Sequence, residues 1–249
     1  MASCDHSLNP RRERENDTAA RSIFSSAWQS LAAEFSPDGL DFPREIFWLN
    51  GAPGAGKGTH TTTILQHLRC LDEPIVISDL LKSPYARKIM DAGQLVGDFE
   101  VLSLLLRKLI EPQFRRQSII VDGFPRTQAQ VEFLRIFYEK LTAMNARRGY
   151  PAPRFNILIL LVDEEESVRR QMKRGNEAQT ANATGNSCTV RKTDLDPKLA
   201  RNRYHVFMQE TCAPLQTLRD AFPLHIVNST GSIAEVSQRI VSVLPLPPS

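Results

Sequence analysis

The chain has 249 residues, 41% hydrophobic and 24% charged, with 31 Lys plus Arg against 28 Asp plus Glu and a formal charge of +3. That composition excludes an unfolded polar chain, and the near balance of interleaved charges offers no broad basic face for nucleic acid. The longest apolar run, residues 157–162, is far short of the roughly 20 that cross a bilayer, and four scattered cysteines without a C-x-x-C pair indicate neither a disulfide framework nor a zinc site.

Residues 1–22 read as a disordered polar tail. They hold no apolar signal segment, and Glu13, Glu15 and Asp17 argue against an organelle transit peptide, so the expected compartment is the cytoplasm. One domain is expected over residues 23–249. Ile23, Phe24, Ala27, Trp28, Leu31 and Phe35 recur at helical spacing and predict a helix that Pro37, Asp38 and Gly39 end. Five short apolar runs follow, at residues 46–50, 74–78, 118–122, 156–163 and 224–228, separated by helical patterns. Runs that are apolar throughout suit strands buried on both faces. They predict an α/β fold, a doubly wound five-stranded parallel sheet with helices on both sides, whose ligands sit beyond the carboxyl ends of the strands. Residues 147–154 read as a surface loop, and residues 175–190, rich in Asn, Thr, Ala and Gly, as a mobile excursion with little to bury.

Directly after the first strand stand Gly51, Ala52, Pro53, Gly54, Ala55, Gly56, Lys57, Gly58 and Thr59, opening a helical pattern. In this G-x-x-x-x-G-K pattern the glycines let backbone N–H groups close around phosphate oxygens, Lys57 neutralises the outer phosphates, and the helix adds its positive end. Gly58 occupies the place of the usual Mg²⁺-binding hydroxyl, which moves to Thr59, so a metal held partly through water is expected. The third strand ends in Asp122-Gly123-Phe124-Pro125-Arg126. Asp122, beside the phosphate loop, is suited to order Mg²⁺ or its waters, and Arg126 can fork onto a second anion.

The segments GAPGAGKGT and DGFPRT together resemble the nucleotide-binding signatures of the adenylate kinase or nucleoside monophosphate kinase family, in order from about residue 46 to the C-terminus. The resemblance implies a P-loop kinase with a small acceptor lobe at about residues 79–110 and a lid at about 175–193. On the acceptor side it implies roles for Ser78, Lys82, Val96, Gly123, Arg126 and Gln130, the last at the family's adenine-reading position. Arg170 and Arg174 resemble the arginines at the lid entrance, and Arg191, Asp194 and Arg203 resemble the groups that close over the phosphates. Arg191 and Arg203 are thereby implied on the acceptor phosphate as well.

The implied reaction is reversible, Mg²⁺-dependent transfer of the ATP γ-phosphoryl group to a nucleoside monophosphate, AMP foremost, by a monomer without zinc, nucleic acid or membrane. Such transfer asks for alignment and cations, not a protein nucleophile. Two unit charges about 4 Å apart interact by roughly 4 kcal/mol at an effective dielectric near 20, so several positioned arginines lower the barrier substantially. UMP, CMP or another small acceptor is the alternative, because Ile77 and Lys82 stand where the family has Thr and Arg; a non-catalytic ATP-binding module is the alternative from another class.

Overall fold

The computed structural model describes residues 10–36, 39–70, 72–81, 97–185, 188, 190 and 192–245. Its strands are β1 (Glu45–Gly51), β2 (Ile75–Val76), β3 (Ser118–Asp122), β4 (Arg154–Leu161) and β5 (Leu224–Asn228). They form one sheet in the order β2-β3-β1-β4-β5, with every paired neighbour parallel. The chain runs from β1 outward to β2 and from β3 across to β4 on the other side, which opens a crevice at the carboxyl ends of the central strands.

Alternation along the apolar runs divides the core. Ile46 and Trp48, Ile119 and Val121, and Ile157 and Ile159 face one layer, while Phe47 and Leu49, Ile120, and Leu158 and Leu160 face the other. The first layer is covered by helices α1 (Pro10–Phe35), α4 (Asp98–Leu109) and α5 (Gln128–Arg147), the last separated from α1 and from α2 (Lys57–Leu68) by β3 in sequence. Helix α2 and the C-terminal helix α9 (Ile233–Val243) cover the second. Between them in sequence come α3 (Ile77–Leu80), α6 (Glu164–Ala183), α7 (Pro197–Val206) and α8 (Ala213–Gln216). A π-helical segment, Phe207–Cys212, joins α7 to α8. No helix among the described residues is long and apolar enough to cross a membrane.

Two sequence expectations change here. Residues 10–22, expected within a disordered tail, are the first half of α1. Ala20, Phe24, Ala27, Trp28 and Leu31 of this helix are buried against α4 and α5, and ion pairs Arg21–Glu132 and Arg107–Glu34 flank the seam. Trp28 stacks between Phe24 and Phe42, and Phe42 meets Phe137 edge-on, so the helix closes an aromatic cluster.

The stretch from residue 175, expected as a mobile lid, stays helical in α6 as far as Ala183. Asp163 caps that helix by accepting from Glu166 N, and Glu164, Glu165 and Glu166 load its first turn with negative charge. Residues 98–109, expected within an acceptor lobe, form α4, whose Leu102, Leu105, Leu106 and Leu109 are all buried in the first layer.

Candidate active site

The P-loop leaves β1 at Gly51 and enters α2 at Lys57. Gly54 and Gly56 hold φ of 77° and 81°, a left-handed backbone that glycine adopts without strain, and the Ala55 N–H between them closes a turn onto the Ala52 carbonyl at 3.0 Å. The back of the loop is tied to α6. Ser167 Oγ donates to the Pro53 carbonyl at 2.7 Å, and Arg170 donates to the Gly54 carbonyl at 3.3 Å and to the Ser229 carbonyl at 3.0 Å while Glu166 holds its Nε. Lys57 Nζ donates to the Gly51 carbonyl at 3.1 Å.

The register Leu49↔Asp122 between β1 and β3 sets Asp122 beside the loop, and Asn50 Nδ2 donates to the Phe124 carbonyl at 2.8 Å, joining the two strand ends. Burial holds the Lys57 ammonium below the usual lysine value, partly offset by Asp122. Burial likewise raises the Asp122 carboxyl, against the pull of Lys57 and Arg126. Asp122 Oδ1 is buried without a hydrogen-bond partner among the described residues. An orphaned carboxylate oxygen close to a phosphate loop, with Thr59 exposed on the same cleft wall, has the hard oxygen chemistry that suits Mg²⁺.

A cleft of about 970 Å³ spans this corner. Ala52, Gly54, Ala55, Gly56, Lys57, Gly58 and Thr59 line it with Ser78, Asp122, Arg126, Arg170, Arg174 and Arg203. Three of those arginines come from different elements. Arg126 follows β3, and its Nε donates to the Gly123 carbonyl at 2.7 Å; a Cβ on Gly123 would fall 2.6 Å from the Arg126 guanidinium, so the absence of a side chain there makes room for it. Arg174 on α6 grips Asp194 with Nε and Nη2 at 2.7 and 2.8 Å, and Arg203 on α7 meets the same carboxylate at 3.4 Å. Asp194, 3% exposed, thus gathers two cations at the cleft.

Gly51 and Pro53 stand behind the cleft wall, acting through their carbonyls. Gln130 is also outside the wall: it is 4% exposed, its Oε1 accepts from Arg126 N at 2.8 Å, and its Nε2 donates to Asp98 at 2.7 Å. Lys82, Val96 and Arg191 lie outside the described residues.

The cleft also takes in groups that sequence reasoning did not single out. Ser229, Gly231 and Ile233 line it just beyond β5, and His60 of α2 lies against the loop, its imidazole held below the ordinary value by burial and by Arg170. The strand-end rule could have found Ser229 and Gly231, since residues 229–232 are a short run of Ser, Thr and Gly directly after β5. His60 carried no such signal.

Comparison with known proteins agrees with this geometry. A family model described as an AAA domain matches residues 50–186. The chain is 32% identical over 200 residues to the adenylate kinase of Deinococcus deserti, an alignment covering 77% of this chain and 92% of that protein. It is 30% identical over 201 residues to the adenylate kinase of Deinococcus radiodurans, with the same coverage, and 29% identical over 205 residues to that of a Chelativorans species, covering 79% and 96%. With the parallel sheet, the glycine-framed loop and the arginines that face it, this chain belongs to the adenylate kinase family of P-loop nucleoside monophosphate kinases.

Proposed function

We propose that this kinase transfers the γ-phosphoryl group of ATP reversibly to AMP with Mg²⁺, giving two ADP. One observation carries the reading: Lys57, Asp122, Arg126, Arg174 and Arg203, from five stretches of the chain, line one cleft. In this reading the P-loop N–H groups and Lys57 hold the donor's outer phosphates, and Arg126 takes the acceptor phosphate together with Lys82. Arg174, Arg191 and Arg203 surround the group in flight, where charge spreads over its oxygens. Asp194 keeps Arg174 and Arg203 oriented toward the cleft before substrate arrives, so less ordering is required at the moment of reaction.

Asp122 and Thr59 are the residues that would hold Mg²⁺, partly through water; when bound, the ion neutralises phosphate charge and helps align the in-line groups. Arg170, tied to the loop and to Ser229, forms the wall on the donor's side. Ser78, Val96 and Gly123 belong to the acceptor's side, and AMP as acceptor follows from the likeness to proteins named adenylate kinase, since Gln130, engaged by Arg126 and Asp98, stands outside the cleft wall.

The test is phosphoryl transfer from γ-labelled ATP to AMP, GMP, CMP, UMP and dAMP in parallel. AMP is expected to show the highest kcat/KM, with turnover lost when EDTA removes the metal. A preference for UMP or CMP overturns AMP as the acceptor, and full turnover in EDTA overturns the Asp122 and Thr59 assignment.

A further inference from the structure

We infer that Asp98, the first residue of α4, is a positioning residue that sets the Arg126 turn by acting through Gln130; the inference rests on the kinase reading above. Asp98 Oδ1 accepts from Gln130 Nε2 at 2.7 Å, and the same carboxylate accepts from Thr127 Oγ1 at 3.2 Å. Gln130 Oε1 in turn accepts from the backbone N–H of Arg126 at 2.8 Å. Both ends of the Gln130 amide are therefore spent inside the protein, on a side chain only 4% exposed.

A carboxylate suits this place because it accepts two donors at once and offers none of its own. Removing it leaves Gln130 Nε2 a buried donor without a partner. The side chain relieves that cost by turning, and turning takes Oε1 away from Arg126 N–H. The rest of the turn is held elsewhere: Thr211 Oγ1, from the π-helical segment, donates to the Arg126 carbonyl at 2.9 Å, and Gly123 holds the Arg126 Nε. Of these grips, the one through Asp98 comes from α4, which falls within residues 79–110, expected as the acceptor lobe. Asp98 thus links α4 to the arginine assigned to the acceptor phosphate.

Steady-state kinetics of the full-length protein with Asp98→Ala, Asp98→Asn and Gln130→Ala test this. Asp98→Ala is expected to raise the acceptor KM about tenfold, as for loss of one charge-assisted hydrogen bond, with the ATP KM within about twofold of wild type. Asp98→Asn keeps an oxygen for Gln130 Nε2 and is expected to stay within about threefold of wild type on both substrates. Because Asp98 works through Gln130, the double variant Asp98→Ala/Gln130→Ala should be no worse than Gln130→Ala alone. An unchanged acceptor KM in Asp98→Ala, or losses that multiply in the double variant, overturns the role while the kinase reading stands. Equal loss on both substrates with a lowered melting temperature makes Asp98 structural only and overturns it too. If the wild-type chain transfers phosphate to no monophosphate, the kinase reading itself falls and takes this role with it.

Discussion

The loop at residues 51–59 is one contiguous run whose backbone makes its own concavity, whereas Arg126, Arg174 and Arg203 reach the same cleft from three separate elements. The loop is steadied from behind by Ser167 and Arg170 of α6, through the Pro53 and Gly54 carbonyls, and from within by the Ala52 and Ala55 N–H groups, which donate to the Leu160 and Ala52 carbonyls. The arginines are steadied by protein oxygens that a phosphate would replace or supplement: Asp194 for Arg174 and Arg203, the Gly123 carbonyl for Arg126. One side is therefore a cradle made largely of backbone, and the other a set of charges held ready by protein oxygens, a carboxylate for Arg174 and Arg203 and a carbonyl for Arg126. Binding and turnover should separate along that line.

The sharpest division should come from Lys57→Met. This change removes the side-chain cation of the cradle and is expected to lower kcat by about 10⁴ while circular dichroism shows an intact fold. A collapsed spectrum would make the lysine structural. Arg203→Ala, on the arginine side, should lower kcat by about 10³ with only a modest loss of ATP affinity by calorimetry. Comparable losses in both quantities would erase the distinction between the two sides.

Asp122→Asn should cost about 10² in Mg²⁺-dependent rate, and yet melt no lower than wild type at neutral pH, because it removes a buried carboxylate with an orphaned oxygen. Burial lifts that carboxyl above its ordinary value, so the wild type is favoured in acid and loses the advantage as pH rises through the folded value. The stability gap between variant and wild type should accordingly open with rising pH, and a gap that widens in acid would contradict the assignment.

The smallest effect expected is at Glu166, whose carboxyl is pulled from 4.5 to about 2 by Arg169, against the effect of burial, and by Arg170. A depressed value contributes stability above the ordinary carboxylate range that is lost as pH falls toward about 2. Glu166→Gln should thus melt slightly lower than wild type near neutrality, and the two curves should converge in acid. Divergence in acid would show that Glu166 does not act through its charge.

Much of this plan was legible along the chain. Strands β1, β3 and β4 announced themselves because both faces of each are covered, and the P-loop because its chemistry is carried by neighbours in sequence. Asp122 and Arg126 were legible for a similar reason, sitting a few residues past an apolar run. The partners of the arginines were harder to see. Nothing local says that Asp98 will meet Gln130, 32 positions on, since the pairing depends on how α4 packs beside α5.

Gly175 misled for a physical reason. It reads as a break at the lid entrance, but a Cβ there would lie 2.0 Å from the Asp194 carbonyl oxygen, so the glycine sits within a continuous helix to let the returning chain pass close. The early part of α1 hid behind polar residues, with Ala20, a small side chain, the one fully buried before Phe24 among the described residues.

That first helix has a practical consequence. The match to the family model starts at residue 50, but Phe24 and Trp28 close an aromatic pocket completed by Phe42 and Phe137. A fragment trimmed to begin at Glu45 would uncover the oily rings of Phe133 and Phe137 on α5 and would be prone to clump, so the boundary of the folding unit lies well ahead of the boundary of the nucleotide-handling one.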